Sequence, residues 1–219
     1  MSDHVPFPRH YLVQWSETLS NWSTLENMVA PTSDRSDPFG GTRAFLFDDS
    51  STTQFQGKDA GIRFFGDGVK SFSVFIRKGS ANSCSIRLRD ETAGVNLHRI
   101  NVTTSAAPMT AATAAGVGTI SVETVGDYYR ISASASSVTA SNTLRVALLP
   151  VRLNNAGEIG TTDFFGVTVE NDGLTGPYVA TDGTPVFRLS HPAITHPPVP
   201  LAVQVRSFAC AGIASGLKS

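Results

Sequence analysis

Apolar and polar residues alternate with a period of two along most of this chain. Phe72, Val74 and Ile76 share one side of a segment whose other side carries Ser71, Ser73, Phe75 and Arg77, until Lys78-Gly79-Ser80 turns the chain. Cys84, Ile86 and Leu88 then oppose Ser85, Arg87 and Arg89, and Asp90-Glu91-Thr92-Ala93-Gly94 leads into a further strand over 95–102. Tyr129, Ile131 and Ala133 oppose Tyr128, Arg130 and Ser132 in the same way. Alternation of this kind predicts half-buried antiparallel strands. Ala44-Phe45-Leu46-Phe47 and Ile62-Arg63-Phe64-Phe65 read as short apolar strands between glycine turns, and another strand is expected over 144–153, with Pro150 marking an edge or a bulge.

The alanine-rich stretch 105–115 is the one place where a helix competes. Pro108, the threonines, and Gly116 and Gly118 beyond it favour a long loop instead. The segment 165–183 alternates as the last strand of the domain, breaks at Asn171-Asp172-Gly173 and is pinned by Pro177-Tyr178. Gly166, where a side chain is expected, implies a close approach of backbone within a sheet. About ten short strands punctuated by turns predict an all-β, two-sheet antiparallel sandwich, a jelly roll. The expected division is an N-terminal arm over 1–10, the sandwich over 11–183 and a C-terminal extension over 184–219.

With 219 residues, 41% of them hydrophobic and 16% charged, the chain is large enough for one sandwich core. The formal charge of −1 supplies no field that would draw it to nucleic acid. No apolar run approaches the ~18 residues that span a bilayer, and a soluble protein made in the cytoplasm is expected. Cys84 lies on an apolar strand face and reads as a buried thiol, against a bridge to Cys210.

Candidate chemistry is sparse. The chain has no Gly-x-Ser-x-Gly elbow, no Gly-Lys-Ser/Thr phosphate loop and no His-Glu-x-x-His, and Gly116-Val117-Gly118 reads as loop. No enzyme is expected. His191 and His196 lie among prolines and read as solvated tail residues, and His98 reads as a surface residue. Asp48-Asp49 and Asp90-Glu91 put adjacent acids on opposite faces of a strand, a poor catalytic geometry. Asp48 and Asp49 are candidate ligands of a structural calcium; no other cofactor is expected. Trp15 and Trp22 read as core or hinge packing, against stacking platforms for sugars.

Phe75, Arg77, Arg87, Arg89, Tyr128, Arg130 and Arg145 all fall on outward positions. If their strands are neighbours they form an arginine-aromatic face for a sugar or an acidic protein partner; the competing reading is a solvated sheet face. Beyond the sandwich, Leu201, Val203, Val205 and Phe208 alternate as a strand. They are candidates for an assembly arm that adds to a neighbour's sheet edge, or that folds back on its own domain.

Five segments together resemble a known family. They are Tyr11-Leu12-Val13-Gln14-Trp15-Ser16-Glu17-Thr18-Leu19-Ser20-Asn21-Trp22, Asp37-Pro38-Phe39-Gly40-Gly41-Thr42-Arg43-Ala44, Ser71-Phe72-Ser73-Val74-Phe75-Ile76-Arg77-Lys78-Gly79, Val125-Gly126-Asp127-Tyr128-Tyr129-Arg130-Ile131 and the closing 165–183 stretch. In this order they resemble jelly-roll modules of bacteriophage structural proteins, themselves similar to carbohydrate-binding and concanavalin-type lectin domains. Tyr128 stands where that family usually has Trp, and Val167-Thr168-Val169-Glu170 replaces a strand that contains Gln. The resemblance implies a non-enzymatic virion component at the particle surface, assembled in the host cytoplasm. A capsid decoration or cement protein is the leading expectation, a homotrimer bound to the major capsid or a tail protein. The alternative is a tail or fibre adhesin that binds host glycan.

Overall fold

Alternating segments do become strands, fourteen of them in the computed structural model, which describes residues 8–13, 15–62, 67–139, 142–152, 157–171, 175–181 and 186–189. In chain order they are β1 (Pro8–Tyr11), β2 (Ser23–Leu25), β3 (Thr32–Arg35), β4 (Ala44–Asp49), β5 (Gly57–Ile62), β6 (Gly68–Lys78), β7 (Ser83–Asp90), β8 (Val95–Thr103), β9 (Thr110–Gly116), β10 (Ile120–Val125), β11 (Tyr128–Val138), β12 (Leu144–Leu149), β13 (Gly160–Glu170) and β14 (Val186–Leu189). A 3-10 turn covers Leu19–Asn21.

Two antiparallel sheets form a jelly-roll sandwich. Sheet 1 has eight strands and runs β10-β11-β6-β13; one half of β13 then pairs with β4, which pairs with β3, and the other end pairs with β1, which pairs with β14. Sheet 2 has six strands in the order β2-β5-β12-β7-β8-β9. Phe72, Val74 and Ile76 of β6, Phe164, Val167 and Val169 of β13, and Ile131 and Ala133 of β11 face inward from sheet 1. They meet Cys84, Ile86 and Leu88 of β7, Ile100 and Val102 of β8, and Leu144, Val146 and Leu148 of β12. Trp22 is buried in this core with Trp15 packed against it, and the Trp22 indole donates to the Trp15 carbonyl at 2.9 Å. Cys84 is a buried free thiol whose pKa burial pushes up. Cys210 lies outside the described residues, as do Arg63-Phe64-Phe65, Leu153, Asp172-Gly173, His191, His196 and the arm candidates Leu201, Val203, Val205 and Phe208.

The structure departs from the sequence reading in several places. Thr110–Gly116 is a strand, not loop: β9 pairs with β8 from Thr103↔Thr110 to His98↔Gly116. It is an edge strand with exposed and half-buried positions only, so it carries no apolar alternation to betray it. β13 is not the last strand. β14 follows and pairs residue for residue with β1, from Pro8↔Leu189 to Tyr11↔Val186, so the two segments read as arms meet each other at the edge of sheet 1. At Gly166 the close approach is as expected: φ is +61°, the register shifts between Phe165 and Thr168, and a Cβ would lie 2.9 Å from the Tyr178 ring.

His98 is the clearest correction, because it is fully buried. The register between β7 and β8 jumps from Leu88↔His98 to Arg89↔Asn96, which leaves Leu97 as an extra residue. His98 has the inward parity of Ile100 and Val102 and Arg99 the outward one, while the bulge turns Leu97 inward beside His98. The His98 Nδ1 lies 2.6 Å from the Ser134 carbonyl and must donate to it; Nε2 then accepts from the Thr113 hydroxyl at 2.9 Å. Burial holds the imidazole pKa below its ordinary value, against the opposing pull of the Ser134 hydrogen bond. The unfolded chain therefore takes up a proton before the folded one does. Stability should fall as the pH drops through about 6.5 and level off below the folded-state pKa. Melting curves between pH 8 and pH 5 check this: wild type should lose stability over that range, and a folded His98→Gln variant should lose measurably less.

Candidate binding face

The seven outward residues do not form one surface. Phe75, Arg77, Tyr128 and Arg130 lie on the outer face of sheet 1; Arg87, Arg89 and Arg145 lie on the outer face of sheet 2, on the opposite side of the sandwich. Alternation does place these seven residues outward on their strands, but strand order separates the two groups.

On sheet 1 the aromatics are covered. Phe75 is 2% exposed and Tyr128 1%, and both belong to a second apolar cluster with Ala44 and Phe165. Phe39 stacks on Tyr178 with ring centroids 5.8 Å apart, and meets the edge of Phe75 at 5.4 Å. Neither Phe75 nor Tyr128 is a platform for a sugar ring.

The five family-like segments converge on this same face, and their residues bind one another. Asp37 accepts from the backbone N–H groups of Phe39 (2.8 Å), Gly41 (3.1 Å) and Arg43 (3.3 Å), and from the Arg43 guanidinium (3.3 Å). A Cβ on Gly41 would collide with the Asp37 carboxylate, which explains why that turn is Gly-Gly. The Thr181 N–H donates to the Ser16 hydroxyl at 2.7 Å, and the Ser16 N–H donates to the Thr181 hydroxyl at 3.1 Å. Tyr178 donates to Glu17 at 2.9 Å, and Glu17 pairs with Arg43 at 2.5 Å. Arg130 donates to the Gly176 carbonyl, Tyr128 to the Ser36 carbonyl, and Arg77 to Asp163 and Ser36. These contacts latch the 36–43 loop and the 176–181 segment over sheet 1. Burial pushes the Tyr128 and Tyr178 phenols up, so both stay protonated donors.

The outer face of sheet 2 is different in kind. Arg145 of β12 lies directly opposite Arg89 of β7, and Arg87 of β7 directly opposite Arg99 of β8. Arg87 and Arg89 are two apart on one strand, so four guanidinium groups occupy adjoining positions on three neighbouring strands. Two carboxylates accompany them: Asp59, 3.0 Å from Arg145, and Glu91, 3.1 Å from Arg89. Asp59 is 3% exposed; burial raises its pKa while the charges of Arg145 and Arg87 oppose the rise. Burial, with Arg89 and Arg99 close by, lowers the pKa of Arg87. The Nε atoms of Arg87, Arg99 and Arg145 are buried and find no acceptor among the described residues. Asn96 stands opposite Arg89, Asn101 opposite Ser85, and Gly61 opposite Arg145 with open space above it.

Arg99 and Asp59 were missed by sequence reading. Arg99 alternates with the inward Ile100 and Val102, a signal that was there to be used, whereas Asp59 sits in a Gly-Lys-Asp-Ala-Gly stretch with no apolar alternation to orient it. Of the acids proposed for calcium, Asp49 is buried and accepts from the N–H groups of Ser51 (3.0 Å) and Gln56 (3.2 Å), while Asp48 points to solvent. They do not converge. Asp90 likewise caps its own turn, accepting from Ala93 N–H at 2.9 Å. A shallow hollow of about 210 Å3, lined by Thr119, Ser121, Ser132, Ser134 and Thr175, opens beside the latch.

By its topology the protein is a jelly-roll sandwich, with one outer face latched and the other carrying the four arginines. No family model and no curated protein matches the sequence. Among solved structures, the chain is similar to the CBM22-1–GH10 modules of endo-1,4-β-D-xylanase 10B of Clostridium thermocellum, complexed with xylohexaose: 15% identity, 78% of this chain, 30% of that chain, TM-score 0.45. It is also similar to the enzymatically active domain of tailspike protein 4 of bacteriophage CBA120 (10% identity, 70% of this chain, 20% of that one, TM-score 0.41). A third is the CsCBM6-3 module of Clostridium stercorarium in complex with cellobiose (15% identity, 74% and 88% coverage, TM-score 0.37). The chain thus spans less than a third of the first two.

Proposed function

We propose that this protein is a non-catalytic polysaccharide-binding module at the surface of a bacteriophage particle, which holds its ligand on the outer face of sheet 2. The observation that carries this reading is the group of four arginines, Arg87, Arg89, Arg99 and Arg145, at adjoining positions on three neighbouring strands of one sheet face. The phage setting rests on the five family-like segments; their mutual contacts account for them as a structural latch and leave the other face free to vary. Affinity electrophoresis of the purified protein through gels containing bacterial surface polysaccharides tests the reading. At least one polysaccharide should retard the wild type, and the double variant Arg87→Gln/Arg99→Gln should run as in a blank gel. Unretarded migration of the wild type in every gel would end the proposal, and turnover of a polysaccharide would end its non-catalytic part.

Pairing of β1 with β14 favours a second reading, capsid decoration. It brings the starts of both extensions to one edge of sheet 1, where they can reach a neighbouring subunit. In that reading the protein is a homotrimer seated on the major capsid protein. A mass of three chains by light scattering, with co-sedimentation on capsid shells, is the expected result; a monomer that fails to co-sediment excludes it.

A further inference from the structure

We infer that the ligand of the sheet 2 face is an acidic polysaccharide, recognised through its carboxylate or sulfate groups. This rests on the proposal that the face binds glycan, and adds the chemical class.

Like charges directly opposite one another on neighbouring strands destabilise a sheet. This face places two such pairs side by side, Arg145↔Arg89 and Arg87↔Arg99, with only Asp59 and Glu91 to offset four positive charges. The whole chain carries a formal charge of −1, so the positive patch is local and not the spill-over of a basic protein. An arginine fork matches a planar carboxylate or a sulfate edge with two parallel hydrogen bonds, and the Arg89 and Arg145 side chains are 30% and 36% exposed, so part of each is open to a ligand.

What the face lacks narrows the ligand further. Its outward positions from β5 to β9 are Asp59 and Gly61, Arg145, Ala147 and Leu149, Ser85, Arg87 and Arg89, Asn96, Arg99 and Asn101, then Ala112 and Ala115. No aromatic residue stands among them. Neutral sugars are held largely by rings that stack on aromatic faces, so charge and hydrogen bonds must carry recognition here. A protein partner would need an apolar or aromatic centre to its interface; Ala147 and Leu149, the apolar residues in the middle, are 1% and 2% exposed. Asn96 and Asn101, half-buried among the arginines, are amides of the kind that bond sugar hydroxyls, and Asn101 also accepts from the buried Ser85 hydroxyl at 2.8 Å.

The test compares one polymer with its charge present and masked. The full chain is run in affinity gels containing polygalacturonate, its methyl ester, dextran sulfate, dextran or poly-glutamate. Expected is retardation by polygalacturonate, by dextran sulfate or by both, which also tells carboxylate from sulfate recognition, with none by the ester or by dextran. Raising the salt to several hundred millimolar should weaken it. Arg87→Gln/Arg99→Gln should reduce affinity at least about tenfold, and Arg35→Gln/Lys78→Gln, an equal loss of charge on β3 and β6 of sheet 1, should not. Arg89→Gln, which alters an exposed ion pair, gives the same readout should the double variant fail to fold. Equal retardation by polygalacturonate and its ester overturns acid recognition while leaving a glycan module. Retardation by poly-glutamate alone overturns it in favour of an acidic protein. Retardation in none of these gels overturns the inference, and the panel of bacterial surface polysaccharides then decides the broader reading separately.

Discussion

Gly116→Ala should destabilise the protein by about 4 kcal/mol, a large part of the 5–15 kcal/mol that holds a typical domain together. Gly116 has φ +77°, which costs an L-residue about 1–2 kcal/mol by itself. A Cβ would also lie 2.0 Å from the Leu97 carbonyl oxygen and 2.5 Å from its carbon, both backbone atoms that cannot swing away. Since Leu97 is the bulged residue two positions before Arg99, the substitution also disturbs one corner of the arginine face. Urea denaturation is the measurement. The midpoint should drop sharply for Gly116→Ala, whereas Gly61→Ala, where a Cβ meets nothing within 4 Å, should stay within about 0.5 kcal/mol of wild type. Similar midpoints for the two variants would refute this account of β9.

Asp37→Ala should cost about 3 kcal/mol, or roughly 6–12 °C in melting temperature for a chain of this size. The carboxylate accepts from three backbone N–H groups and Arg43, and its loss strands those donors beneath the latch. Burial alone would raise the Asp37 pKa, but the N–H groups of Phe39, Gly41 and Arg43 outweigh it and hold it below the ordinary carboxylate value. A depressed folded-state pKa means that the unfolded chain binds the proton first. The contribution is complete above about pH 4 and is lost as the pH falls towards the folded-state value. Acid titration followed by near-ultraviolet circular dichroism should show a shallower loss below pH 4 for Asp37→Asn than for wild type. Because the latch and the arginine face lie on opposite sides, polysaccharide binding by the folded Asp37 variants should persist. Loss of binding without unfolding would mean that the ligand sits on sheet 1.

The latch also gives the family resemblance a physical meaning. Ser16 and Glu17, the Asp-Pro-x-Gly-Gly turn and the Pro-Tyr-x-x-Thr closure are far apart in the chain but touch in space. Such residues hold covering segments in place, and their recurrence speaks to architecture. The arginines of sheet 2 belong to none of those contacts, which is where a module of this build can differ in what it binds.

Side-chain alternation alone determined the class of fold and the inward residues of β6, β7, β11 and β12, because a strand with one wet and one dry face must repeat every two residues. It also placed Arg77, Arg87, Arg89, Arg130 and Arg145 outward. Which of them share a surface was decided by strand order, which sends β6 and β11 to one sheet and β7 and β12 to the other. Burial of Phe75 and Tyr128 was decided by the 36–43 and 176–181 segments lying over them, a long-range contact with no local sign. Alternation with Ile100 and Val102 sets His98 inward and Arg99 outward; what the tertiary structure decided is the extra residue at Leu97, because a bulge is set by the partner strands, and it turns Leu97 inward beside His98 and brings Asn96 opposite Arg89.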